Sequence, residues 1–136
     1  MNKLPGKITK ILSSESISLV EVKTEIGNIS SVIVETPKTA KYLKIGQEIY
    51  VLFKETEVSI GKNLSGMISM RNKIPCIIEK IDKGNILSRC VLKSNNIEII
   101  SVITSQSVEC MDLKIGDRVI ALIKTNEVSL LERPDG

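Results

Sequence analysis

The chain has 136 residues and a formal net charge of +3, and it contains neither histidine nor tryptophan. Residues 1–66 carry 9 Lys/Arg against 7 Asp/Glu and the remainder 10 against 9, so there is no basic stripe of the kind that tracks a nucleic-acid backbone. The absence of histidine removes the commonest general base and metal ligand, and no apolar run approaches the roughly 18 residues of a membrane-spanning helix.

Residues 6–12 and 17–26 are rich in Ile, Val and Thr with partial alternation, which predicts half-buried strands. Gly27-Asn28 is a turn signal, so 17–26 and 29–35 should form a hairpin. Thr36-Pro37 resets the pattern, because threonine caps helices and proline favours the first helical position. One or two helical turns are expected over residues 38–43, ended at Ile45-Gly46. Ile49-Tyr50-Val51-Leu52-Phe53 is apolar on both faces, as in a strand covered on both sides. Residues 57–60 read as a short last strand and 61–66 as a linker.

The order then repeats. Asn72-Lys73-Ile74-Pro75 restates Asn2-Lys3-Leu4-Pro5, and an offset of 70 continues without a gap. Ser31-Val32-Ile33 matches Ser101-Val102-Ile103, Leu43-Lys44-Ile45-Gly46 matches Leu113-Lys114-Ile115-Gly116, and Glu57-Val58-Ser59 matches Glu127-Val128-Ser129. This is an internal duplication. Strands are predicted near 76–82, 86–94, 97–104, 118–124 and 127–131, with a helix at 105–112 and a frayed tail over 132–136. Five short strands with a small helix between the third and fourth describe an OB-like barrel. The fold class is therefore all-β: two tandem OB-like five-stranded barrels, each with one short helix, over residues 1–62 and 67–133. Units this small approach the lower limit for an independent core, so they should pack on each other or on other copies.

Catalytic signatures are absent. There is no phosphate-binding glycine loop, dinucleotide fingerprint or nucleophile elbow, so neither an enzyme nor an organic cofactor is expected. The three aromatic residues, Tyr42, Tyr50 and Phe53, all lie in the first half, whereas single-stranded nucleic acid needs stacking rings. Cys76, Cys90 and Cys110 are odd in number and form no C-x-x-C, which reads as buried thiols in a reducing compartment. With no signal-peptide pattern at the start, a soluble cytoplasmic protein is expected.

What the second unit does hold is a set of anion donors. Ser69 and Arg71 precede its first strand, Thr104 and Ser107 bracket the helix start, and Lys124-Thr125 ends the fourth strand. A tetrahedral dianion offers only acceptors, so it calls for positive charge and several hydroxyl or N–H donors without a carboxylate. Taken singly, Thr104 and Ser107 also read as helix caps, and Arg71 and Lys124 as solvated surface charges.

The second unit resembles the Mop/TOBE family of molybdate-binding domains, and the whole chain is similar to a tandem molbindin. The resemblance rests on Ser69-Met70-Arg71-Asn72, Ile103-Thr104-Ser105-Gln106-Ser107, Leu113-Lys114-Ile115-Gly116 and Ile123-Lys124-Thr125. Met70 and Thr125 stand where the family usually has alanine, and Cys76 where it has glycine, as does Gly6 of the first unit. It implies molybdate or tungstate held as a ligand for storage or homeostasis, or alternatively an oxyanion-sensing module that signals to a protein partner. It also implies sites formed between barrels, often across the subunits of a homo-oligomer. A trimer of two-barrel chains is favoured, with a dimer as the alternative; neither nucleic acid nor membrane is an expected partner. The implied binding residues are Ser69, Arg71, Thr104, Ser107, Lys124 and Thr125, with Lys54 a weaker candidate. The first unit departs from the pattern. Met1 stands directly before Asn2, Val34 replaces Thr104, Pro37 replaces Ser107 and Glu55 replaces Thr125. Each change removes a donor or adds a repelling charge, so this unit reads as scaffold.

Overall fold

The structure, a computed structural model, describes residues 1–134; the last two residues of the expected tail lie outside the described residues. Its strands are β1 (Asn2–Ser14), β2 (Ile17–Thr24), β3 (Gly27–Ile33), β4 (Glu48–Phe53), β5 (Ser59–Gly61), β6 (Asn72–Lys83), β7 (Leu87–Ser94), β8 (Ile97–Thr104), β9 (Arg118–Ile123) and β10 (Ser129–Glu132). The helix α1 (Ser105–Cys110) lies between β8 and β9. Short 3-10 turns at Glu55–Glu57 and Thr125–Glu127 precede β5 and β10. No helix among the described residues is long and apolar enough to cross a membrane.

The long strands β1 and β6 organise each barrel. Residues 2–7 of β1 pair with β4, and residues 6–14 pair with β2. A register shift between Ile8 and Lys10 re-aims the strand between these partners. There the Ile8 N–H donates to the Gln47 carbonyl (2.9 Å) and the Ile8 carbonyl accepts from the Gly46 N–H (2.8 Å). β6 shifts at the matching Ile78/Lys80, with equivalent bonds to Asp117 and Gly116.

Two local expectations shift. The first hairpin turns at Glu25-Ile26 rather than at Gly27-Asn28, since Gly27 already pairs with Thr24. The Thr24 hydroxyl fixes that turn, accepting from the Ile26 N–H (3.2 Å) and donating to the Gly27 carbonyl (2.7 Å). The second hairpin turns on Asn95-Asn96, both left-handed (φ 48° and 65°), the geometry that matches strand twist. In the first unit, the segment expected as a helix makes two separate turns, Thr36–Ala40 and Ala40–Leu43, that do not join into a helix. The Thr39 hydroxyl takes the Thr36 N–H (2.9 Å), and such side-chain bonds compete with helical pairing.

The sheets hold a feature that repeat boundaries do not reveal. The strand orders are β10-β4-β1-β2-β3 and β5-β9-β6-β7-β8, so each unit gives its last strand to the other's sheet. β10 pairs with β4 through Ser129–Leu52 and Glu132–Ile49, and β5 pairs with β9 through Ser59–Leu122 and Gly61–Ile120. Matched side chains fasten the exchange from both sides. The Ser31 hydroxyl donates to the Val128 carbonyl and the Ser101 hydroxyl to the Val58 carbonyl, each at 2.6 Å. Asn2 bonds both backbone groups of Ile100, and Asn72 both backbone groups of Ser30. Val58 and Val128 are buried with Phe53, Ile49, Ile78 and Ile123 in one continuous apolar core.

Lys62, just after β5, secures the end of α1. Its ammonium donates to the carbonyls of Met111 (3.2 Å) and Asp112 (2.8 Å) and pairs with the Asp117 carboxylate (2.9 Å). A cation at a helix C-terminus meets unpaired carbonyls and the negative end of the dipole.

Candidate functional site

The register of β6 against β9 builds the site. Asn72 pairs with Ile123, so Arg71 and Lys124, the next residues outward, emerge side by side from one end of the barrel. Past Lys124 the chain tightens into the 3-10 turn at Thr125–Glu127. Together they enclose a cleft of ≈ 230 Å³ lined by Ser69, Met70, Arg71, Lys124, Thr125 and Asn126. Among the described residues neither Arg71 nor Lys124 is in an ion pair, and no carboxylate lines the cleft. It presents two cations, two hydroxyls and a side-chain amide.

Four of the residues singled out in the sequence, Ser69, Arg71, Lys124 and Thr125, therefore converge. Asn126 was missed; its one sequence signal is its place beside Thr125 in the same turn. Thr104 and Ser107 do not join them. Thr104 pairs with Leu87 where β7 begins, and Ser88 pairs with Lys83 where β6 ends. That is the far end of a 12-residue strand from Asn72. Thr104 caps α1: its hydroxyl oxygen accepts from the Ser107 N–H (3.1 Å) and its O–H donates to Ser107 Oγ (2.8 Å). Buried Ser105 anchors the helix start, donating to the Gly84 carbonyl (2.6 Å) and bonding Ser88 Oγ (2.8 Å).

Lys54 lies in an adjoining cleft of ≈ 210 Å³ that shares Asn126 and has Met1, Glu57, Glu127 and Ser129 among its lining. The carboxylates of Glu57 and Glu127 oppose an anion there. Glu55, matched to Thr125, is held below the usual carboxylate range, chiefly by its hydrogen bond to the N-terminal ammonium of Met1. The cleft at Lys54 thus carries carboxylates where the cleft at Arg71 has none.

Fold and cleft define a tandem OB-like barrel protein with a carboxylate-free cationic cleft at one end of its second barrel. The chain belongs to the TOBE-domain family, whose pattern matches residues 1–60 and again 68–130. It is similar to the cytoplasmic molybdate-binding protein ModG, in a form with molybdate bound. That similarity has a TM-score of 0.91 and 24% identity, and covers 97% of this chain and 96% of the other. A molybdate-binding protein from Sporomusa ovata matches at 36% identity, covering 49% of this chain and all of its own (100%), with a TM-score of 0.48. No curated protein sequence matches the chain.

Proposed function

We propose that the protein binds molybdate or tungstate and stores the oxyanion without transforming it, in the cytoplasm. The observation that carries this reading is the pairing of Arg71 and Lys124 in one cleft with Ser69 and Thr125 and without a carboxylate. A tetrahedral dianion matches that set: its oxygens only accept, and the cleft offers charge and donors. Family membership and the likeness to a protein crystallised with molybdate support the choice of anion.

Thr104 and Ser107 enter this reading through a second copy of the chain. They sit at the opposite end of the barrel from Arg71, so one copy's helix start would complete another copy's cleft. A homotrimer is the favoured assembly and a dimer the alternative. Light scattering tests this part, and a monomer at micromolar concentration would remove the contribution of Thr104 and Ser107.

Titration calorimetry with molybdate, tungstate and sulfate tests the site itself. Arg71→Ala should weaken molybdate binding by about ten- to a hundredfold, the effect of losing one charge-assisted contact, with folding intact. Removing Lys44, basic but outside the cleft, should do much less. Equal losses from both substitutions would mean general attraction and would overturn the reading.

A further inference from the structure

We propose that Ser30, on the first unit, is the positioning residue for Arg71, so that the unit lacking the anion motif orients the arginine of the other. The inference rests on the anion cleft described above. In β3, Ser31 turns inward to the Val128 carbonyl, and Ile29 alternates with it into the core, so Ser30 faces away from the barrel interior. It is nevertheless only 6% exposed, since the start of β6 lies over it. Asn72 holds the two strands together there, accepting from the Ser30 N–H (2.7 Å) and donating to the Ser30 carbonyl (2.9 Å). The guanidinium of Arg71 then reaches the same residue, Nε donating to Ser30 Oγ at 3.4 Å.

With Nε engaged, the N–H groups on the two terminal nitrogens stay free for a ligand. An arginine already held loses less rotamer freedom when the anion arrives. The duplication supplies an internal control. Asn2 makes the same pair of bonds to Ile100 (2.9 and 2.8 Å), but there Met1 stands in place of Arg71 and Ile100 in place of Ser30. The hydroxyl is present where the arginine is and absent where the arginine is absent, while the backbone contact is kept at both places.

Molybdate titration calorimetry on the full chain tests this with Ser30→Ala, Ser30→Thr and Arg71→Lys, alone and combined. Ser30→Ala should weaken binding by about three- to tenfold, the worth of one modest hydrogen bond. Ser30→Thr, which restores the hydroxyl, should recover the affinity. In the Arg71→Lys background, where no Nε–H remains, Ser30→Ala should have no further effect. An undiminished Ser30 effect in that background would make the role merely structural and overturn the proposal. Wild-type affinity in Ser30→Ala alongside weakened binding in Arg71→Ala would overturn it while leaving the cleft intact. Wild-type affinity in Arg71→Ala would overturn the cleft itself, and this inference with it.

Discussion

Asn72→Ala is the sharpest probe of how the two units are joined. The Asn72 side chain is 1% exposed and serves as a substitute strand for β3, satisfying both the N–H and the carbonyl of Ser30. Alanine leaves both groups buried and unpaired. An unsatisfied buried group costs about 1–3 kcal/mol, so the pair should cost about 2–4 kcal/mol after partial access of water. For a chain of this size, roughly 4 °C of melting temperature is lost per kcal/mol, giving a drop of about 8–16 °C. Circular dichroism melts at one fixed protein concentration measure it, because any self-association moves the midpoint. Asn2→Ala deletes the repeat-related pair at Ile100, which is only part-buried, and should cost less. Asn72→Asp keeps the acceptor, loses the donor and buries a charge, so it should be no more stable than the alanine variant. Exposed Asn28 provides the control. If Asn72→Ala melts no lower than Asn28→Ala, water replaces the amide freely and the proposed cost is wrong.

Other consequences follow from particular positions. Gly6→Cys should destabilise by about 1–3 kcal/mol through overpacking, since an added Cβ meets Val22 Cγ1 at 2.5 Å and the Lys23 carbonyl at 3.0 Å; urea midpoints measure it. Burial pushes the Cys76 thiol up to about 11 and raises that of Cys90, whereas Cys110 is exposed. Alkylation of the native chain at about pH 8, read by mass spectrometry, should therefore modify Cys110 first, because the thiolate is the nucleophile. Lys62, followed by the Lys114 N–H, holds the Asp117 carboxyl below its ordinary value of 3.8. A depressed folded value means that this stabilisation is fully present above 3.8 and lost as pH falls through the lower folded value. The denaturant-midpoint gap between wild type and Asp117→Asn should thus be constant near neutrality and close in acid.

Much of this architecture was legible in the chain because the offset of 70 repeats local signals along with residues. Alternating Ile and Val give strands, and Thr104 with Ser107 marks the start of α1, which the structure places at Ser105. Arg71 and Lys124 were legible as a pair because each flanks a strand end. The exchange of β5 and β10 was not, since a period of two residues reports a half-buried strand but never names its neighbour. Asn2 and Asn72 look like ordinary polar residues until the topology sets a backbone edge against them. Ser30 was invisible for the same reason: its partner lies 41 residues away. The separation of Thr104 from Arg71 also needs the register of β6 and β7, because in sequence both simply belong to one motif.

The crossing of last strands changes what counts as a half of this molecule. A fragment cut in the linker between Lys62 and Arg71 would carry β5 without its partner β9, and its own β4 would present a bare edge where β10 should lie. Bare edges recruit other chains. The two fragments are therefore complementary pieces rather than miniature copies: each ends in the strand that the other lacks. Grafting one repeat from a different protein onto this one would have to match three joints at once: the cut in the linker, the pairing of β5 with β9 and the pairing of β10 with β4.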